Sequence, residues 1–216
     1  MPTFVTATVP YPWPYDGHLD IRSLAVVICG AQGRFVEACD GADVVLAALV
    51  GLAEVVRDGG GRVVWVRHGR RAVADPAAGF LPVRGDQGWD LVTAPAVGDV
   101  VVDSAGWDGC FASDLDHTLR AAGIHAIALG GFASELTVDS TVRTLNDRGH
   151  ECLVLTDGCA PLDADLGARA HCSLTMSGGI FGALGTIDHL GAALERASTD
   201  HHADHLHADN HARSTT

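Results

Sequence analysis

The chain has 216 residues, 47% of them apolar and 19% charged, a balance that suits one globular domain and excludes a disordered chain. Its formal net charge of -13 argues against nucleic acid and anionic membrane surfaces as partners, because a phosphate-rich surface repels it. All fourteen basic residues are arginines, and there is no lysine.

The strongest apolar run, around residues 44–56, is broken by Gly51 and Glu54 and is too short to span a membrane. The opening Met1-Pro2-Thr3-Phe4 lacks the basic and apolar regions of a secretory signal. Cys29, Cys39, Cys110, Cys152, Cys159 and Cys172 show no zinc-ribbon or Cys-x-x-Cys spacing and read as reduced thiols of a cytoplasmic protein.

Short apolar runs alternate with helical patterns, which predicts an α/β fold with a mostly parallel sheet between two helical layers. Residues 24–29 are continuously apolar, as a strand covered on both faces requires. A helix follows at about 40–57, with apolar residues at helical spacing, and Gly59-Gly60-Gly61 ends it. The next strand is 62–67. Residues 69–99, rich in Pro and Gly, read as a long functional loop. Strands at 100–102, 124–129 and 152–155 alternate with helices at about 113–122, 136–147, 163–175 and 187–197. Ser113 is the expected N-cap of the first of these. The domain therefore covers 1–198.

From 199 to 216 the composition changes. His201, His202, His205, His207 and His211 stand among aspartates, a density able to hold Zn²⁺ or Ni²⁺ but equally that of a solvated, disordered tail.

Three stretches carry a specific likeness. They are Pro10-Tyr11-Pro12-Trp13-Pro14-Tyr15-Asp16-Gly17 with Gln32 and Phe35 downstream, the run from Gly130-Gly131-Phe132-Ala133 through Cys152, and Gly88-Trp89-Asp90 with Met176-Ser177-Gly178-Gly179. Over roughly residues 10–195 the chain resembles the isochorismatase-like cysteine hydrolases, and is especially similar to the biuret and ureidoacrylate amidohydrolase branch. The resemblance implies a three-layer α/β/α domain, dimers or tetramers, and an Asp–Lys–Cys triad whose thiolate attacks an amide carbonyl beside backbone N–H donors. It also implies no cofactor. Isochorismatases proper lack the Cys but keep the Asp and the Lys.

In ungapped register the Asp position falls on Gly30, the Lys position on Ser104 and the Cys position on Thr137. All three chemical groups are missing. Cys110, near Trp107, Asp108 and Phe111, is the alternative nucleophile, and Cys29 a weaker one. Thr137 would need a base from Asp103 or Glu135, although Glu135 is expected to face solvent or an adjacent subunit. Leu136 and Thr137 mark the oxyanion turn. Arg67, His68, Arg70 and Arg71 form a basic rim that, with Trp107, Phe111 and Ser177, would hold a small carboxylate or ureide. Residue 66 is Val, so the Asp-x-His metal motif of nicotinamidase-type relatives is absent and no metal is expected inside the fold. Arg143 reads as a structural ion-pair partner, and Gly178 and Gly179 as sites of close backbone approach.

The reading that follows is a pseudoenzyme acting as a binding or partner subunit, as a homo-oligomer or beside an active paralogue. The alternative is a hydrolase of a small amide, ureide or vinyl ether working through Cys110, Ser104, Thr137 and Asp103. A third idea is metal handling by the histidine tail.

Overall fold

The computed structural model describes residues 2–70 and 79–197. Arg71 and the histidine tail lie outside the described residues. Six strands form one sheet, all of them parallel: β1 (Leu24–Cys29), β2 (Arg62–His68), β3 (Val100–Ser104), β4 (Ala126–Phe132), β5 (Glu151–Ala160) and β6 (Ala183–Gly185). Their spatial order is β3-β2-β1-β4-β5-β6. The chain moves outward from β1 to β3, then returns to place β4 beside β1. That reversal makes the carboxyl ends of β1 and β4 the switch point where open α/β sheets form their crevice.

Every residue of β1 is buried, because helices cover both faces. On one face lie α2 (Ala42–Asp58), which buries Leu49, Leu52, Ala53 and Val56, and a last helix over residues 187–197. On the other lie α3 (Leu115–Ala121), α4 (Thr137–Asp147) and α5 (Ala164–Leu174). The buried set of α4 (Val138, Thr141, Val142, Leu145) follows the i, i+3, i+4, i+7 spacing of a single helical stripe. No described helix is long and apolar enough to cross a membrane.

The predicted elements recur with three differences. First, β4 and β5 run on to Phe132 and Ala160, past the strand ends expected at 129 and 155. A Cβ at Gly131 would overlap the carbonyl of Cys29, so here glycine permits close strand approach instead of ending the strand. Second, β6 and the single turn α1 (Gly33–Val36) are too short to give a periodic signal. Third, the N-cap of α3 is Asp114, and Ser113 instead donates to the Gly109 carbonyl while accepting from Leu115 N–H at 3.3 Å.

The two sheet edges are treated unequally. Val9 and Leu184 exchange backbone hydrogen bonds at 3.0 and 2.8 Å, so the segment before β1 covers β6. The outer side of β3 pairs with no strand among the described residues.

Candidate active site

The switch point brings Gly30, at the end of β1, against Phe132, at the end of β4. Gly30 has φ 66, a left-handed conformation that most side chains resist, and its N–H donates to the Val66 carbonyl. A Cβ there would sit 3.0 Å from both the Phe132 carbonyl oxygen and Cδ2 of Phe35. Phe35 is fully buried, and its ring packs against Phe80 and Trp107 with centroids 5.8 Å away in each case. A side chain at position 30 would therefore start in tight contact with the Phe35 ring. Phe35, read in the sequence only as part of the family likeness, is the ring that packs beside this glycine.

Ser104, at the Lys position, ends β3 and is 3% exposed. Its hydroxyl donates to the Asp108 carbonyl at 2.6 Å and accepts from Gly106 N–H at 3.2 Å, pinning the turn that follows β3. Thr137, at the Cys position, is wholly buried, and its hydroxyl donates to the Phe132 carbonyl at 2.7 Å. A hydroxyl committed in this way is a helix-start staple rather than an activated nucleophile.

The oxyanion turn is likewise engaged. Leu136 and Thr137 N–H both donate to the Ala133 carbonyl at 2.9 Å, Ser134 N–H to the Ala160 carbonyl, and Ala133 N–H to the sulfur of Cys39. Oxyanion stabilisation needs donors aimed at an empty position. These four N–H groups all have partners. Glu135, expected to face solvent or another subunit, instead accepts from the N–H groups of Leu162 and Asp163 and fixes the turn after β5.

Cys110 is buried against α3 and α4, on the sheet face away from Phe35. Burial, reinforced by the Asp108 carboxylate, pushes its thiol up to about 12. Cys29 shares that layer, and burial raises it as well. Cys39 sits between the ends of β4 and β5, donating to the Ala160 carbonyl at 3.3 Å, and burial also raises its thiol. Cys172 is the exposed thiol among these. An alkylating reagent at pH 8 is therefore expected to modify Cys172 at least about a hundredfold faster than Cys110, whose ionised fraction is lower by roughly 10³ than that of an ordinary thiol. Peptide mapping by mass spectrometry reads the ratio. Equal rates would restore Cys110 as a nucleophile.

The predicted binding residues divide among three places. Arg67 donates to Asp103 at 2.7 Å and lies 5.0 Å over the Trp89 ring, so its fork is already engaged. His68 is fully buried. Its Nδ1 meets the Gly106 carbonyl at 3.1 Å, and burial lowers its pKa to about 4, so the ring is neutral and enclosed rather than a rim group. Trp107 packs on Phe35 at a tilt of 42°, whereas Phe111 is 59% exposed. Ser177 lies apart from all of them. It precedes β6 at the opposite end of the sheet, where the neighbouring Gly179 packs on Tyr11, which in turn donates to Glu151 at the start of β5.

Two residues not foreseen as site groups organise the loop after β2. Buried Gln32 donates to the Trp89 carbonyl at 2.8 Å and accepts from His68 N–H at 2.6 Å. Arg84 meets Asp103 at 2.5 Å. A cavity of about 60 Å³, lined by Arg70, Arg84, Trp89, Asp103 and Ser104, is the space left beside the Lys position. Among the described residues no cluster of three or more His, Cys, Asp or Glu side chains is arranged to hold a metal ion.

Comparison with known proteins agrees with this topology. A cysteine hydrolase of Pseudomonas syringae pv. phaseolicola superposes with a TM-score of 0.73 at 22% identity, covering 83% of this chain and 95% of that one. An isochorismatase family protein of Burkholderia thailandensis superposes with a TM-score of 0.66 at 26% identity, over 81% and 96%. In sequence, the ureidoacrylate amidohydrolase RutB of Serratia proteamaculans is 40% identical over 67 residues, 30% of this chain. That match spans only 27% of the relative's own length. The profile of the Isochorismatase domain matches residues 24–183, most of the folded chain. With sheet order, switch point and profile in agreement, the chain belongs to the isochorismatase family.

Proposed function

We propose that this protein is a catalytically silent member of its family, a pseudoenzyme that serves as a binding or partner subunit. The observation that carries the reading is that the four N–H groups of the turn from Ala133 to Thr137 all have partners inside the fold, which leaves no donor aimed at an oxyanion. Supporting it, the whole chain lacks the lysine that would lower a thiol's pKa, and the hydroxyls of Ser104 and Thr137 are committed to backbone carbonyls.

The competing reading, a hydrolase of small amides, ureides or vinyl ethers, needs a nucleophile and a base in contact. Cys110 is buried and protonated, and Asp103 is held between Arg67 and Arg84. The test is an assay of purified protein on biuret, ureidoacrylate, nicotinamide and isochorismate. No turnover above the buffer rate is expected for any of the four. Turnover that disappears in Cys110→Ala or Thr137→Val would sink the proposal.

A further inference from the structure

We propose that a cavity at the amino ends of β2 and β3 is a binding site for a small carboxylate with an aliphatic tail. It lies at the end of the sheet opposite to Gly30, Ser104 and Thr137 and shares no residue with that site, so it does not depend on the silent-site reading. The cavity measures about 370 Å³, within the roughly 300–1,000 Å³ of small-molecule pockets. Its wall is made by the buried side chains of Val64, Leu119 and Ile124, all part of the core on the α3 face. Val100, which pairs with Val64 at the start of β3, extends that wall. An aliphatic wall of this kind favours a ligand in proportion to the apolar area it covers.

The polar lining supplies the sign of the ligand. Arg62, His117 and Thr118 line the cavity, and no Asp or Glu does. Arg62 opens β2 and stands two residues before Val64, so both side chains share one face of the sheet. Its guanidinium has no ion-pair partner among the described residues, whereas Arg57, Arg67, Arg120, Arg143 and Arg148 are all paired within the chain.

The carboxylates that adjoin the lining in sequence are engaged elsewhere. Asp99, before Val100, is held by Arg57 and Trp65, and Asp116, before His117, by Arg120, Arg148 and His150. The carbonyls at the end of α3 are taken too: Thr118 accepts from Ala122 N–H, Leu119 from Ile124 and Arg120 from Gly123. Those bonds mute the negative end of the helix beside the cavity. An anionic head on Arg62, whose fork matches a carboxylate, with its tail on Val64, Leu119 and Ile124, meets both halves of the lining. Screening over about 8 Å at physiological salt leaves this local charge in control despite the net charge of -13.

Calorimetric titration of the full chain with octanoate tests the site. One saturable event with a Kd below about 1 mM is expected. Hexanoate should bind about tenfold or more weakly, since each buried methylene is worth roughly fourfold. Octylamine, with the same tail and the opposite charge, should also bind at least about tenfold more weakly. Arg62→Glu changes an exposed side chain and should cost octanoate about tenfold or more while the thermal midpoint is kept. Should that variant fail to fold, Ala121→Trp, at an exposed position of the lining, should abolish binding by filling the mouth. Absence of a saturable event overturns the proposal. So does octylamine bound as tightly as octanoate, binding that ignores tail length, or octanoate held equally well by the folded variants.

Discussion

Gly30→Asp, which would place a carboxylate where the resemblance puts the family's acid, is expected to destabilise the protein by about 3–5 kcal/mol, the cost of a buried charge without a partner. The new Cβ would press on Cδ2 of Phe35 and on the Phe132 carbonyl, and the chain has no lysine to offer the carboxylate. Phe35→Ala alone should also cost about 3–5 kcal/mol through the cavity it opens. The double variant should be clearly more stable than the sum of the two losses, because the cavity gives the carboxylate room and water. Urea denaturation of the three variants measures the coupling. Strict additivity would mean that the Phe35 ring does not constrain a side chain at position 30. The Asp pKa in the folded single variant should be raised, so its deficit should grow as pH rises above about 4.

A second large loss is expected for Asp99→Ala, about 3 kcal/mol. The Asp99 side chain is fully buried at the entry to β3, where it accepts from Arg57 twice (2.9 and 3.0 Å), from Trp65 Nε1 at 2.9 Å and from Ala96 N–H at 3.0 Å. Removing it leaves Trp65 Nε1 and Arg57 without their acceptor in a partly buried site. Burial alone would raise this carboxyl, but the hydrogen bonds from Arg57, Trp65 and Ala96 outweigh it and hold the pKa below the usual carboxylate range. Its contribution is therefore full above the unfolded carboxyl's value near 4 and is lost as pH falls through the lower folded value. The deficit of the variant should accordingly shrink in acid. A deficit independent of pH would assign the loss to packing. Asp99 matters to the site because it anchors the strand that carries Ser104 at its far end and the open edge along its side.

Much of the architecture was legible in the linear chain. Continuous burial on two faces made β1 visible, helical spacing made α2 and α4 visible, and the alternation of the two made a parallel sheet the economical answer. The strand ends were less legible, because Gly131 and Gly158 lie inside β4 and β5, and at Gly131 the Cys29 backbone leaves no room for a side chain. Among candidate site residues, the motif order placed Gly30, Ser104 and Thr137 at strand and helix ends around one end of the sheet. It misplaced Ser177, whose position at the other end depends on where β6 enters the sheet, and it treated His68 as a rim group although the turn at Gly106 encloses it.

Motif order was enough to point to the family, which the profile over residues 24–183 bore out, and composition to show that the chain has no lysine, because covalent identity and strand–helix periodicity are both local properties. How the residues around Gly30, Ser104 and Thr137 are engaged was decided by contacts between residues far apart along the chain. Phe35 meets Phe80 and Trp107, Thr137 turns back to Phe132, and Cys39 takes the N–H of Ala133. Close packing couples these distant residues, and only the tertiary arrangement brings them together.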